Sequence, residues 1–172
     1  MEKKVTSNVT KGIILSLVLI VVNLIAGFAN VQFTTWFRWI PSLILAAGLI
    51  WACMSYGTQN NAHVTFGDVF AHGFKTSAVV ACIVLVFSII SIYFIFPDTK
   101  DQYLEVARKQ MEDKGTYSQD AIDQGIELSK KLFLPFAIAG VILGTIFVGL
   151  LASLIGAAVT KKVPVSPFDT QS

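Results

Sequence analysis

The stretch "GIILSLVLIVVNLIAGFA", residues 12–29, runs without one charged side chain. A helix rises about 1.5 Å per residue and a bilayer's hydrocarbon core is about 30 Å thick, so roughly 17 to 25 apolar residues suffice to cross it. The basic head "MEKK" with Lys11, and the small residues of "AGFA", give the stretch some look of a cleavable secretory signal. Its apolar run is longer than the roughly 7 to 15 residues of such a signal. The reading that follows is a membrane helix.

The whole chain shares this character. Of its 172 residues 54% are hydrophobic and only 14% charged, against about 25% charged in a soluble domain. Mean hydropathy is +0.67. A net charge of +2 is too small to suggest binding to nucleic acid. Cys53 and Cys82 fall inside apolar runs and read as small buried hydrophobes, not as a disulfide or a metal pair.

Three more runs are long and apolar enough to span, at about 36–55, 76–96 and 132–159. The second opens on Trp36, Phe37 and Trp39, an aromatic belt beside which Arg38 can snorkel. Pro41 falls early in it, where a missing backbone N–H costs least. The short link between the first two runs predicts an antiparallel hairpin. The fourth run would reach roughly 42 Å as a helix, so it should tilt or project, with Pro135 placed to kink it. Lys3, Lys4 and Lys11 before the first span predict cytoplasmic termini by the positive-inside rule, with 97–131 outside. That loop carries six Lys or Arg of its own, which pulls the other way.

Residues 97–131 are the polar part of the chain. Tyr103, Leu104, Ala107 and Met111 share one helical face, and Gly115 stops that helix. Ser118 is placed to cap a second, possible continuation of which into the fourth span is open, with Tyr117 and Ile122 as a hydrophobic staple. Helices this short need tertiary support. Tyr103, Leu104, Met111, Ile122 and Ile126 should therefore pack on each other, on the membrane surface or on a docked partner. The tail "VPVSPFDTQS" reads as disordered.

Candidate chemistry is sparse. "VTFGDVFAHGFK", residues 64–75, predicts an interfacial amphipathic helix over 65–75, with Asp68, His72 and Lys75 on one polar stripe and Phe66, Phe70 and Phe74 opposite. A metal site would need His63 with Asp68 and His72, but His63 precedes the helix and no fourth ligand offers itself. A proton relay through Asp68 and His72 is the other chemical reading; the simpler one is a wetted collar. Asn23 is the most polar deep residue of the spans. Gly140, Gly144, Gly149, Ser153 and Gly156 on the fourth span suit close helix packing, within the bundle or with another membrane protein. Glu105, Glu112 and Asp113 lie on solvated faces. No metalloprotease, phosphate-loop or nucleophile motif is present, so no catalytic, cofactor or metal residue is assigned and an enzyme is not expected.

"TFGDVFAHGFK", "SIYFIFPD", "YSQDAIDQGIE" and "GLLASLIGAAVTKK", in this order over most of the chain, resemble a family of small Bacteroidetes membrane proteins known as domain of unknown function 4199. The resemblance implies a multi-pass inner-membrane protein with no established activity, and a genomic association with polyprenyl-phosphate glycosyltransferases. The expectation is thus an all-α polytopic membrane protein of four spans, a structural or accessory subunit whose partners are the bilayer and another membrane protein or itself. The alternative is an accessory or flippase-like partner in lipid-linked sugar handling, with a groove lined by Asn23, Ser88 and Ser91.

Overall fold

In a computed structural model, which describes residues 5–34 and 36–163, the chain is all-helical. Six helices follow in order: α1 (Asn8–Phe28), α2 (Ile40–Gln59), α3 (Phe66–Ile90), α4 (Thr99–Asp113), α5 (Gln119–Lys131) and α6 (Phe133–Val159). A 3₁₀ turn, Phe37–Trp39, leads into α2, and a π-helical turn, Ser91–Ile95, ends α3. Four of these segments are long and apolar enough to cross a membrane: Asn8–Phe28, Phe37–Gln59, Phe66–Ile95 and Phe133–Val159. The predicted tail lies, beyond Val163, outside the described residues.

Local chemistry explains the boundaries. Ser7 caps α1, its hydroxyl accepting from the Thr10 N–H at 3.1 Å, and Asn30 closes it at φ 54°, a left-handed conformation asparagine tolerates. Pro41 sits in the first turn of α2, where its absent N–H has no partner to lose. Gly115, at φ 61°, ends the α4 region, and Ser118 caps α5. Pro135 cannot reach back to the Lys131 carbonyl, and its ring crowds that position; the break between α5 and α6 falls there, at Leu132. The two helices abut without forming one rod.

The stretch 65–75 differs from expectation. It is not a separate interfacial helix but the opening turns of α3, which runs unbroken through Ile90. Thr65 and Asp68 form a capping box: the Asp68 N–H donates to Thr65 Oγ1 at 3.2 Å and the Thr65 N–H to Asp68 Oδ2 at 3.0 Å. With the N-terminus of the helix anchored this way, nothing in the apolar sequence that follows interrupts it.

The bundle is tight at one end and loose at the other. At the end where α1 starts and α6 finishes, two clusters form the core: Leu15, Leu19, Leu45, Leu49, Val80 and Ala152, and below them Cys53, Val64, Val69 and Ala157. The buried residues of α6 are Gly149, Ala152, Ser153, Gly156 and Ala157, all in its second half, and α3 buries nothing beyond Ala81. Small residues bring the backbones together there. A Cβ on Gly156 would lie 2.8 Å from Cys53 Cβ and 3.3 Å from Ile50 Cα, and one on Gly149 would overlap Ser77. At the opposite end, that of the α1–α2 link and α4–α5, Gly140 and Gly144 face no atom within 4 Å.

Candidate functional site

The loose end encloses a cavity of about 800 Å³ between α1, α2, α3 and α6. Its floor is the tight core: Leu19 and Leu45 belong to that core, and Val84 and Val148 pack on it. Leu19 and Val148 lie near the middle of α1 and α6, so along those two helices the cavity reaches about halfway. Its roof comes from Thr99 and Tyr103 of α4 and Ser129 of α5. Asn23, Ser88 and Ser91, which sequence reading grouped as a groove, all line it.

Two features of the helices create the space. The α6 wall is low because Gly140 and Gly144 present no side chain to it. The α3 wall ends in the π turn, which contributes Ser91 and Ile92; such turns disturb the regular hydrogen-bond ladder and recur at functional sites. Phe96, just past that turn, also lines the cavity. Its ring fills the place a Cβ on Gly27 would need and meets Phe28 edge-on with centroids 5.1 Å apart. That contact holds α1 to the end of α3 while α6 stands away.

The chemistry of the lining is polar but uncharged. Asn23 Nδ2 donates to the Leu19 carbonyl of its own helix at 2.8 Å, and Ser88 Oγ to the Val84 carbonyl at 2.8 Å. The Asn23 side-chain oxygen and the Ser88 lone pairs stay available as acceptors. Ser42, Thr145 and Gln32 add further polar groups. Gln32 Nε2 donates to Gln102 Oε1 of α4 at 3.4 Å, and Tyr103 packs edge-on against Phe133 at 5.8 Å. These two contacts tie the roof to the bundle.

The α4–α5 roof consumes most of the surface expected to dock a partner. Leu104 and Ile122 are buried, Ile122 with only 1% exposure. Met111 lies beside Gly125, Ile126 is half-buried, and Arg108 pairs with Asp123 across the two helices. Of the five candidates only Tyr103 is exposed, and it faces the cavity. On the solvent side Glu105 accepts from Lys109 at 2.8 Å, which holds its carboxyl below the usual range and raises the Lys109 ammonium.

The small residues of α6 divide in two. Gly149, Ser153 and Gly156 pack inside the bundle, whereas Gly140 and Gly144 line the cavity. The polar stripe of α3 divides as well. Asp68 and Lys75 are exposed, but His72 is half-buried, its ring stacked on Tyr56 with centroids 4.2 Å apart. The edge of α3 that enters the core is a third one, Val69, Gly73, Thr76 and Val80, between the stripe and the stacked row of Phe66, Phe70 and Phe74. His63 is exposed and joins neither.

Sequence reading missed Lys11. Counted there only as a basic flank, its side chain is 1% exposed; Nζ donates to the Ala52 carbonyl at 3.1 Å and stands 5.9 Å from the centroid of Tyr56. A signal was present, since Lys11 precedes the buried Leu15 and Leu19 at helical spacing. Lys11, Tyr56 and His72 thus pin α1, α2 and α3 together at the tight end, a structural role.

The described residues thus form an all-helical chain with four helices long and apolar enough to cross a membrane and an uncharged cavity under a two-helix roof. The chain belongs to the family described as protein of unknown function (DUF4199), which it matches over residues 10–162. No curated protein and no solved structure matches it.

Proposed function

We propose that this protein is an accessory membrane protein that takes an amphiphilic molecule from the surrounding bilayer into the cavity under α4 and α5 and holds it for a partner, with no reaction of its own. The observation that carries this reading is the contrast between the two ends of the bundle. One end is packed through glycines to backbone contact, while the other keeps a space of about 800 Å³, lined by Asn23, Ser88 and Ser91, at the level of the low α6 wall. Pockets for small molecules typically have about 300 to 1,000 Å³ and few, placed polar groups.

In the same reading the protein lies in a bacterial inner membrane, with its termini in the cytoplasm and α4–α5 outside. Support comes from Lys3, Lys4, Lys161 and Lys162 at the termini, while the six Lys or Arg of 97–131 pull the other way. Lys11, being buried, adds little to that bias. Single cysteines at Thr58 and Lys114 should label from opposite sides of intact membrane, Lys114 from outside; labelling of both from one side would exclude four spans.

The binding function is tested by native mass spectrometry of the chain released from mild detergent. One lipid-mass adduct per chain is expected, and it should disappear when Gly144→Leu fills the cavity. An adduct absent from the wild type, or unchanged in a folded Gly144→Leu protein, would refute the reading.

A further inference from the structure

We infer that the cavity takes an uncharged lipid that offers a hydroxyl and ester carbonyls, of the diacylglycerol type, and excludes lipids with phosphate heads. This rests on the binding function proposed above and adds the class of ligand. Among the described residues, none that lines the cavity is Asp, Glu, Lys, Arg or His. An ionised phosphate brought into an apolar helix bundle loses its hydration, a large cost that neutral donors offset only in part unless a cation lies beside them. This lining supplies no such cation. Charged residues adjoin the lining in sequence, Asp98, Lys100 and Asp101 beside Thr99 and Lys130 and Lys131 beside Ser129, with Lys131 already paired to Glu127 at 2.8 Å.

The polar groups that do line the cavity fit a neutral head of mixed character. The Asn23 oxygen and the Ser88 oxygen accept, and so ask for a hydroxyl donor. Tyr103, Ser42 and Ser91 carry hydroxyls that can donate to carbonyl oxygens. A diacylglycerol presents one hydroxyl and two ester carbonyls within a few bonds of each other. A long-chain isoprenoid alcohol presents a single hydroxyl and would leave most of the lining unanswered. Apolar Leu19, Leu45, Val84 and Val148 form the floor, and the exposed Gly140 and Gly144 leave a way for acyl chains to pass into the bilayer.

The test uses the full chain in dodecyl maltoside, titrated with 1,2-dioleoylglycerol or dioleoylphosphatidic acid and read by native mass spectrometry. The proposal expects one dioleoylglycerol per chain, bound at least about tenfold more tightly than phosphatidic acid. Asn23→Leu, which removes only a bond within its own helix, should weaken dioleoylglycerol about fivefold. Gly144→Leu should abolish it, and its Cβ has no atom within 4 Å to disturb the fold. Phosphatidic acid bound equally or better, in a manner sensitive to Gly144→Leu, would overturn the neutral class and leave the binding function standing. Failure of both lipids to bind in a Gly144-sensitive manner would overturn the class together with the function beneath it.

Discussion

Two alanine substitutions in one helix, Gly156→Ala and Gly144→Ala, should act in opposite directions. Both replace a glycine inside α6, so both remove the same backbone-entropy cost, about 0.5–1 kcal/mol. This term cancels when the two variants are compared, leaving the steric difference. At Gly156 the new Cβ would sit 2.8 Å from Cys53 Cβ and Sγ and 3.3 Å from Ile50 Cα. Those atoms belong to backbone or lie next to it, so no side-chain rotation relieves the contact, and α2 and α6 must move apart. Overpacking of this kind costs about 1–3 kcal/mol. At Gly144 the Cβ meets nothing within 4 Å. Gly144→Ala should therefore equal or exceed the wild type in stability, and Gly156→Ala should fall below Gly144→Ala by about 1–3 kcal/mol. Equilibrium unfolding in mixed dodecyl maltoside and dodecyl sulfate micelles, followed by circular dichroism, measures both. Equal stability of the two variants, or a larger loss at Gly144, would refute the division of the bundle into a tight and a loose half.

Other expectations follow from the same geometry. Leu104→Ser with Ile122→Ser should unfold the α4–α5 roof, since burial of such side chains is worth about 2–5 kcal/mol each; limited proteolysis should then cut within 99–131 while the long helices stay protected. Cys53 is buried and Cys82, although exposed, lies in the middle of the long apolar segment Phe66–Ile95, so a water-soluble maleimide should modify neither in the folded, membrane-embedded protein and both after denaturation in dodecyl sulfate, as peptide mass mapping would show. His72→Gln should lower stability by about 0.5–1.5 kcal/mol through loss of the stack on Tyr56, whereas Lys75→Gln, at an exposed position, should change it by less than about 0.5 kcal/mol; thermal unfolding in detergent separates the two.

The long helices were legible because hydrocarbon thickness imposes a length and an absence of charge that show directly in one chain. Pro41 marks a start that the structure repeats, and Gly115 and Ser118 a turn between α4 and α5. The cavity was only half legible. Asn23, Ser88 and Ser91 could be grouped by depth, since polarity inside an apolar run is conspicuous. That Gly140 and Gly144 are empty while Gly149 and Gly156 are packed could not be read, because all four carry the same local pattern and differ only in what α2 and α3 place opposite. Asp68, His72 and Lys75 mislead for a related reason. Periodicity gives the faces of α3, but three faces were available and the neighbours chose the one with Gly73 and Thr76. The π turn has no sequence signature in "SIYFI" that would have announced it.

The central claim is that the end of the bundle under α4 and α5 is built open to hold a lipid. A cryo-EM map of the chain in a lipid nanodisc, with a bound antibody fragment for alignment, tests it most directly. The account predicts elongated density between α1, α3 and α6, reaching from Tyr103 and Thr99 down to Leu19, with no protein atom against Gly140 or Gly144. A map in which α6 closes on its neighbours at Gly140 and Gly144, as it does at Gly156, and leaves no such density would contradict it.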